Sequence, residues 1–198
     1  GVTPLQMATG YAAIANGGFR VTPYFIDRVI DESGNLLSQT EPARADREAP
    51  RIIEPQDAFI LNSMLQDVIR VGTGRKALSL GRPDLAGKTG TTNDAQDAWF
   101  AGYQRNMAAL AWVGYDQPRS LGERETGGGL ALPIWMDFMR EALKKVPVST
   151  PAMPEGVLRI NGELYSEKSA PGVGVSSLGL EDPVTIEDVY LRDGHAYV

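Results

Sequence analysis

Apolar residues in this chain recur with a helical period in three places and alternate more closely in between. Thr3-Pro4-Leu5-Gln6 sets a hydroxyl at a cap position, proline at the first helical position and glutamine at the third. That capping box predicts a helix from Pro4 to Asn16, stopped by Gly17-Gly18. Pro55 opens a second helix, in which Ile60, Met64, Val68 and Val71, with Leu61 and Leu65 beside them, recur at three- and four-residue spacing until Gly72-Thr73-Gly74 ends it. Pro133 opens a third, with Ile134, Phe138, Met139 and Leu143 on one side and Lys144 and Lys145 at its C-terminal end, where the helix dipole favours cations.

The intervening segments predict strands and loops. Val21 to Asp31 is rich in β-branched and aromatic residues, and Glu32-Ser33-Gly34-Asn35 supplies turn chemistry before Leu36-Leu37, which predicts a hairpin. From Asp84 to Tyr115 the runs LAGKTGTT, DAWFAGY and MAALAWVGY predict three successive strands, the last two joined by a tight turn at Gln104-Arg105-Asn106 and hence antiparallel. Residues 39–51 read as a charged surface loop, and Gly127-Gly128-Gly129 as a flexible one. Pro147, Pro151 and Pro154 mark an extended linker, and VLRI-Asn161-Gly162-ELYS carries a two-residue hairpin signal. The chain has no internal repeat. The expected architecture is α/β of the α+β type, an antiparallel sheet flanked by helices over residues 1–146, with residues 147–198 as a C-terminal extension.

Composition narrows the chemistry. The chain has 198 residues, no cysteine, one histidine and a net charge of -6. A domain of this size buries roughly 70 % of the surface its unfolded chain exposes, so a real core is expected. Without cysteine there is no thiolate nucleophile, disulfide, cysteine zinc site or iron–sulfur ligation. The single His195 lies near the end of the chain, which leaves no basis for a Ser-His-Asp relay or a multi-histidine metal site within it. No cofactor and no metal are expected. Acidic residues outnumber basic ones, 25 to 19, which argues against nucleic acid as a partner. The longest apolar run, Met107 to Val113, is far short of the ~20 residues that span a bilayer. The chain opens at Gly1, directly at a helix start, and reads as a piece of a longer protein.

The densest chemistry is Gly87-Lys88-Thr89-Gly90-Thr91-Thr92. As a phosphate loop it misses the required spacing, because five residues instead of four separate Gly81 from Gly87-Lys88-Thr89. The Gly-Thr-Thr-Asn-Asp that follows also favours strand and turn over a helix N-terminus. As an exposed strand beside an acyl-transfer site it makes better sense. Lysine there holds positive charge near a substrate carboxylate, a hydroxyl hydrogen-bonds that carboxylate, and glycine lets another backbone approach. The residue after the glycine offers its amide to a developing oxyanion. Three residues alone fit equally well an ordinary glycine-flanked strand with an exposed lysine.

The wider string decides between these. Gly87 to Asp94, followed by Asp97-Ala98-Trp99-Phe100-Ala101-Gly102-Tyr103, resembles the third- and fourth-strand signature of penicillin-binding proteins. Thr3 to Ala8 with Tyr11, Ala15, Asn16 and Gly17-Gly18, then Val71-Gly72-Thr73-Gly74, and Gly128-Gly129 leading to Ala131, Pro133, Ile134 and Trp135, resemble the bifunctional, class A branch. The likeness runs in the family's order over about residues 2–140. It implies the penicillin-binding protein and serine β-lactamase fold, as a partial domain, in a D,D-transpeptidase or carboxypeptidase that cross-links peptidoglycan stem peptides through a serine acyl-enzyme and is acylated by β-lactams.

By that resemblance Lys88 and Thr91 are the catalytic candidates, Lys88 holding the local potential and proton network and Thr91 supplying an oxyanion amide. Thr89, Gly90, Thr91 and Thr92 are the substrate-binding candidates, with Thr89 on the carboxylate and Thr92 at the periphery. Asp97 and Trp99 support the strand and the site wall, or are simply a strand-end polar residue and a core aromatic. The nucleophile is missing. No serine stands three residues before any lysine, and Thr73-Gly74-Arg75-Lys76 only copies the spacing with a threonine in a helix-ending loop. Ser33-Gly34-Asn35 matches a Ser-x-Asn motif but occupies a predicted turn. The implied partners are D-Ala-D-Ala stem peptides, β-lactams, the N-terminal half of the same domain and cell-wall synthesis regulators. The implied location is the extracytoplasmic side of the bacterial cytoplasmic membrane, with an anchor and a glycosyltransferase domain upstream. A serine β-lactamase-like hydrolase and a non-catalytic wall-binding module are the alternatives.

Overall fold

A computed structural model describes residues 1–171 and the backbone of residues 190–192 and 195–197. The chain divides into two compact units, Gly1–Glu155 and Gly156–Val198. The first contains α1 (Pro4–Ala15), β1 (Arg28–Ile30), β2 (Leu36–Gln39), α2 (Pro55–Arg70), β3 (Ala86–Thr91), β4 (Asp97–Gln104), β5 (Met107–Gly114) and α3 (Leu132–Ala142). The predicted capping box forms: the Gln6 amide donates to Thr3 Oγ1 and the Thr3 amide to Gln6 Oε1.

Strands β3, β4 and β5 make one antiparallel sheet in that order, so β3 is an edge strand. Pairing of Lys88 with Ala101 and of Trp99 with Trp112 sets the register. Side chains alternate between the two faces, and each face has its own core. Ala86 and Tyr103 lie on one, with Leu65 of α2 and Tyr11 and Ile14 of α1. Phe100 and Ala111 lie on the other, with Ile69 of α2 and Trp135 and Met139 of α3. The Trp135 indole N–H donates to Ala109 O at 3.1 Å, and its ring meets that of Phe100 at 4.8 Å, which roots α3 on the sheet.

Two apolar faces differ from expectation. In α3 the buried residues are Leu132, Trp135, Met136 and Met139, with Leu143 just beyond, whereas Ile134 and Phe138 are 54 % and 51 % exposed. Trp135, the largest side chain of the helix, decides which face turns to the sheet. In α2, Ala58, Leu65 and Ile69 are buried, while Met64 and, just past the end of the helix, Val71 are exposed. The hairpin at residues 21–37 is also shorter than expected. It pairs only Arg28–Ile30 with Leu36–Gln39, and Ser33 sits in a turn held by its own amide and that of Asn35 on Asp31 Oδ1.

A buried ion pair fastens the end of α3 and the proline-punctuated segment to the start of β3. The Arg82 guanidinium donates to both carboxylate oxygens of Asp84, at 3.0 and 2.8 Å, and to the carbonyls of Val146 and Pro147. Gln104 and the Ser149 amide also donate to Asp84, each at 3.0 Å. Burial alone pushes the Asp84 carboxyl up, but the Arg82, Ser149 and Gln104 donors together outweigh it and hold it below the usual carboxylate range. In the second unit, β6 (Val157–Ile160) and β7 (Glu163–Ser166) form the predicted hairpin, with Asn161 and Gly162 at φ 52° and 92° as a type I′ turn requires. Strands β8 (Tyr190–Arg192) and β9 (His195–Tyr197) pair antiparallel. The rest of the expected extension, residues 172–189, 193–194 and 198, lies outside the described residues.

Removing Arg82 leaves the Asp84 carboxylate with only its Gln104 and Ser149 donors, so Arg82→Ala lowers stability by roughly 1–3 kcal/mol in urea unfolding of the full-length protein. Because the folded pKa of Asp84 is depressed, its contribution is present above the ordinary carboxylate pKa and is lost as pH falls through the lower folded value. The stability gap between wild type and Asp84→Asn therefore narrows below about pH 4.

Candidate active-site edge

The candidate site is the open edge of β3. The Thr92 amide donates to Asp97 O at 3.1 Å, which makes 92 and 97 a hydrogen-bonded pair of the ladder. Alternation along an antiparallel pair then makes Gly90 and Trp99 the next hydrogen-bonded pair and leaves Thr91 opposite Ala98, and Thr89 opposite Phe100, in non-bonded pairs. The amides of Thr89 and Thr91 therefore face away from β4, towards the free edge. An amide so placed can receive an extended peptide or a carbonyl oxygen gathering negative charge.

The side chains at this edge form one polar group. Lys88 is exposed, and its ammonium donates to Thr89 O at 2.8 Å and approaches Thr89 Oγ1 at 3.4 Å. Thr89 Oγ1 lies 2.6 Å from Thr73 Oγ1, in the turn after α2. Thr91 Oγ1 accepts the Gly127 amide at 3.1 Å. The Thr92 hydroxyl, expected at the periphery of the ligand, accepts the Asp97 amide at 2.8 Å and closes the β3–β4 turn. Asp97 Oδ1 accepts the Trp112 indole N–H at 2.8 Å, and the Trp99 and Trp112 rings stack 5.7 Å apart. Asp97 and Trp99 thus brace the sheet end beside the site.

The glycine run is not the flexible loop that its composition implies. Gly127–Ala131 form a π-type turn that feeds α3, and Gly127 is buried against the ladder. A Cβ on Gly127 would collide with the carbonyls of Gly90 and Trp99, and one on Gly128 would meet Thr73 O at 3.0 Å. These glycines are small because three backbone segments meet there. Sequence reasoning did not select Thr73 or Gly127 as site residues. The signal for both was present in Gly72-Thr73-Gly74 and Gly127-Gly128-Gly129, but only the tertiary fold brings these runs to β3.

A cavity of about 330 Å³ lies elsewhere, lined among others by Ile14, Phe59, Tyr103 and Pro151, and it includes none of the predicted site residues. The Tyr103 hydroxyl there donates to Asn62 Oδ1 at 3.0 Å, and burial pushes its pKa far up, so it is a structural donor with no acid–base role at neutral pH.

Residues 1–140 match the family model described as the penicillin binding protein transpeptidase domain. The chain belongs to the penicillin-binding protein transpeptidase family. It is 47 % identical over 166 residues to penicillin-binding protein 1A of Neisseria lactamica, covering 84 % of this chain and 21 % of that protein. The corresponding Pseudomonas aeruginosa protein is 41 % identical, with 86 % and 26 % covered. The chain thus spans about a fifth to a quarter of the length of these curated relatives. Among solved structures, penicillin-binding protein 1A of Haemophilus influenzae superposes with a TM-score of 0.76 at 32 % identity, covering 79 % of this chain and 28 % of that one. The imipenem acyl-enzyme complex of penicillin-binding protein A from M. tuberculosis superposes at 0.55 and 28 % identity, with 72 % and 32 % covered. The expected antiparallel, helix-flanked fold of the family is the one observed.

In this penicillin-binding domain the crowding at Gly127 carries a prediction. Gly127→Ala forces the π-type turn off β3 and costs roughly 1–3 kcal/mol by overpacking, read as a lowered thermal midpoint. Gly129→Ala is the control. Its added Cβ would sit in ordinary contact, 3.4 Å from Thr126 Oγ1, so the midpoint changes little or rises.

Proposed function

We propose that this chain is the C-terminal half of the transpeptidase domain of a class A penicillin-binding protein, and that β3 forms one wall of its active site. The observation that carries this reading is the free edge of β3. It presents outward amides at Thr89 and Thr91 together with the Lys88 ammonium and the Thr89 hydroxyl. A serine supplied by the rest of the domain attacks the carbonyl of the D-Ala-D-Ala bond, or of a β-lactam ring. The oxygen gains charge against the Thr91 amide, the C–N bond breaks, and the leaving amine takes the proton given up by the serine hydroxyl, leaving an acyl-enzyme. An amine of a neighbouring stem peptide then takes the acyl group, and water takes it in a carboxypeptidase turnover.

In this scheme Lys88 stabilises negative charge on the ligand carboxylate and in the proton network, and Thr89 hydrogen-bonds that carboxylate. Gly90 keeps the strand open to the ligand by carrying no side chain, and a Cβ there would also press on Trp99 Cβ of the paired strand at 3.2 Å. The imipenem acyl-enzyme named in the M. tuberculosis structure supports acylation by β-lactams. An upstream glycosyltransferase domain, a membrane anchor that holds the domain on the extracytoplasmic side, and contacts with cell-wall synthesis regulators complete the proposed parent protein.

Intact-mass analysis after incubation with a penicillin tests the scheme. The full-length protein gains a single stable adduct. Lys88→Ala remains folded by circular dichroism and acylates at least about a hundredfold more slowly, as expected when a charged stabilising group is removed. Unchanged acylation by that variant sinks the assigned role, and rapid release of hydrolysed penicillin by the wild type favours the hydrolase.

A further inference from the structure

We infer that Thr73 is a positioning residue that aims the Thr89 hydroxyl at the carboxylate of the ligand, a role that rests on the site proposed above. A threonine hydroxyl has one proton and two lone pairs. Thr89 Oγ1 is 3.4 Å from the Lys88 ammonium, which can only donate, and 2.6 Å from Thr73 Oγ1. With Thr73 donating as well, both lone pairs of Thr89 are filled, and its single proton is left for a third acceptor outside the pair. In the alternative arrangement Thr89 donates to Thr73 and has no proton for the ligand. An arriving carboxylate selects the first arrangement, because it needs donors and offers none.

The surroundings hold Thr73 in place for this task. The turn after α2 is tied to the last helical carbonyls by the Gly72 amide on Asp67 O at 3.0 Å and the Gly74 amide on Val68 O at 2.9 Å. Gly74 is pressed against Ile69 and Phe100, where a Cβ would stand 3.3 and 3.5 Å from their side chains, and Gly128 closes over the Thr73 carbonyl. Backbone on both sides of Thr73 is therefore fixed, while the residue itself is exposed on the side of Thr89. A hydroxyl on a fixed backbone orients its neighbour without the entropy cost of a mobile donor.

The test compares Thr73→Val, which keeps the shape and removes the hydroxyl, with Thr73→Ser, which keeps the hydroxyl. Both are made in the full-length protein and assayed with benzylpenicillin and with its methyl ester, which lacks the charged carboxylate. Thr73→Val raises the apparent dissociation constant before acylation by about tenfold, the worth of one oriented hydrogen bond, with the first-order acylation rate kept. Thr73→Ser returns to within about twofold of wild type. With the methyl ester, wild type and Thr73→Val differ by less than about twofold.

An equal loss for acid and ester overturns the inference, since it shows a structural effect alone. So does a normal Thr73→Val where Thr89→Val is impaired, and that result leaves the β3 site standing. If neither Thr89→Val nor Lys88→Ala alters acylation, the site reading falls and the inference falls with it.

Discussion

The hydrogen-bond alternation between β3 and β4 governs everything else at this site. Because Thr92 pairs with Asp97, every second residue upstream turns its amide to the partner strand, and Thr89 and Thr91 turn theirs to the free edge. A slip of one residue would point the Gly90 amide outward instead and move Lys88 to the face that carries Phe100. The turn at residues 92–97 is therefore built with care. The Asp97 amide is capped by the Thr92 hydroxyl, the Asp97 carboxylate holds the Trp112 indole, and Asp94 and Ala95 accept positive φ values of 59° and 48°. Strain of that kind persists only where surrounding contacts enforce it.

An edge strand with free amides invites unwanted pairing, and this sheet restrains it with a charged side chain on the edge and with backbone brought in close. The π-type turn at Gly127–Ala131 covers one face of β3, and its first amide ends on Thr91 Oγ1. The turn after α2 approaches from the same face and ends on Thr89 Oγ1. Glycine at 127 and 128 is what lets these segments come so near, because a Cβ at either position meets a carbonyl. Two hydroxyls of the signature are thereby held by elements far from them in sequence.

Much of this architecture was legible in the sequence. The capping box, the three strands and the Asn161-Gly162 hairpin follow from local chemistry, and they stand where the pattern put them. The helix faces did not follow, because α3 carries apolar residues all round and periodicity could not say that Trp135, and not Ile134 or Phe138, meets the sheet. The glycine run departs from expectation for a related reason. Composition reports freedom of the unfolded chain, whereas Gly127 is held by backbone from two other strands, a long-range fact. The motif named the strand, but Thr73 enters the site only because α2 packs along β3.

The division of labour across the site follows from the same geometry. What β3 supplies is electrostatic and positional: an ammonium, two hydroxyls and outward amides, all fixed by ladder and turn before a ligand arrives. In the proposed scheme none of these groups is the nucleophile. Thr73, the one hydroxyl with the serine-like spacing to a lysine, has its oxygen engaged with Thr89, and the ammonium near that pair is Lys88, not Lys76. A group spent on orienting a neighbour gains nothing from being made more reactive. In the scheme proposed above bond breaking belongs to a serine from the rest of the domain, and a rigid strand edge suits it as a counterpart, since preorganised donors act without reorganising as charge develops.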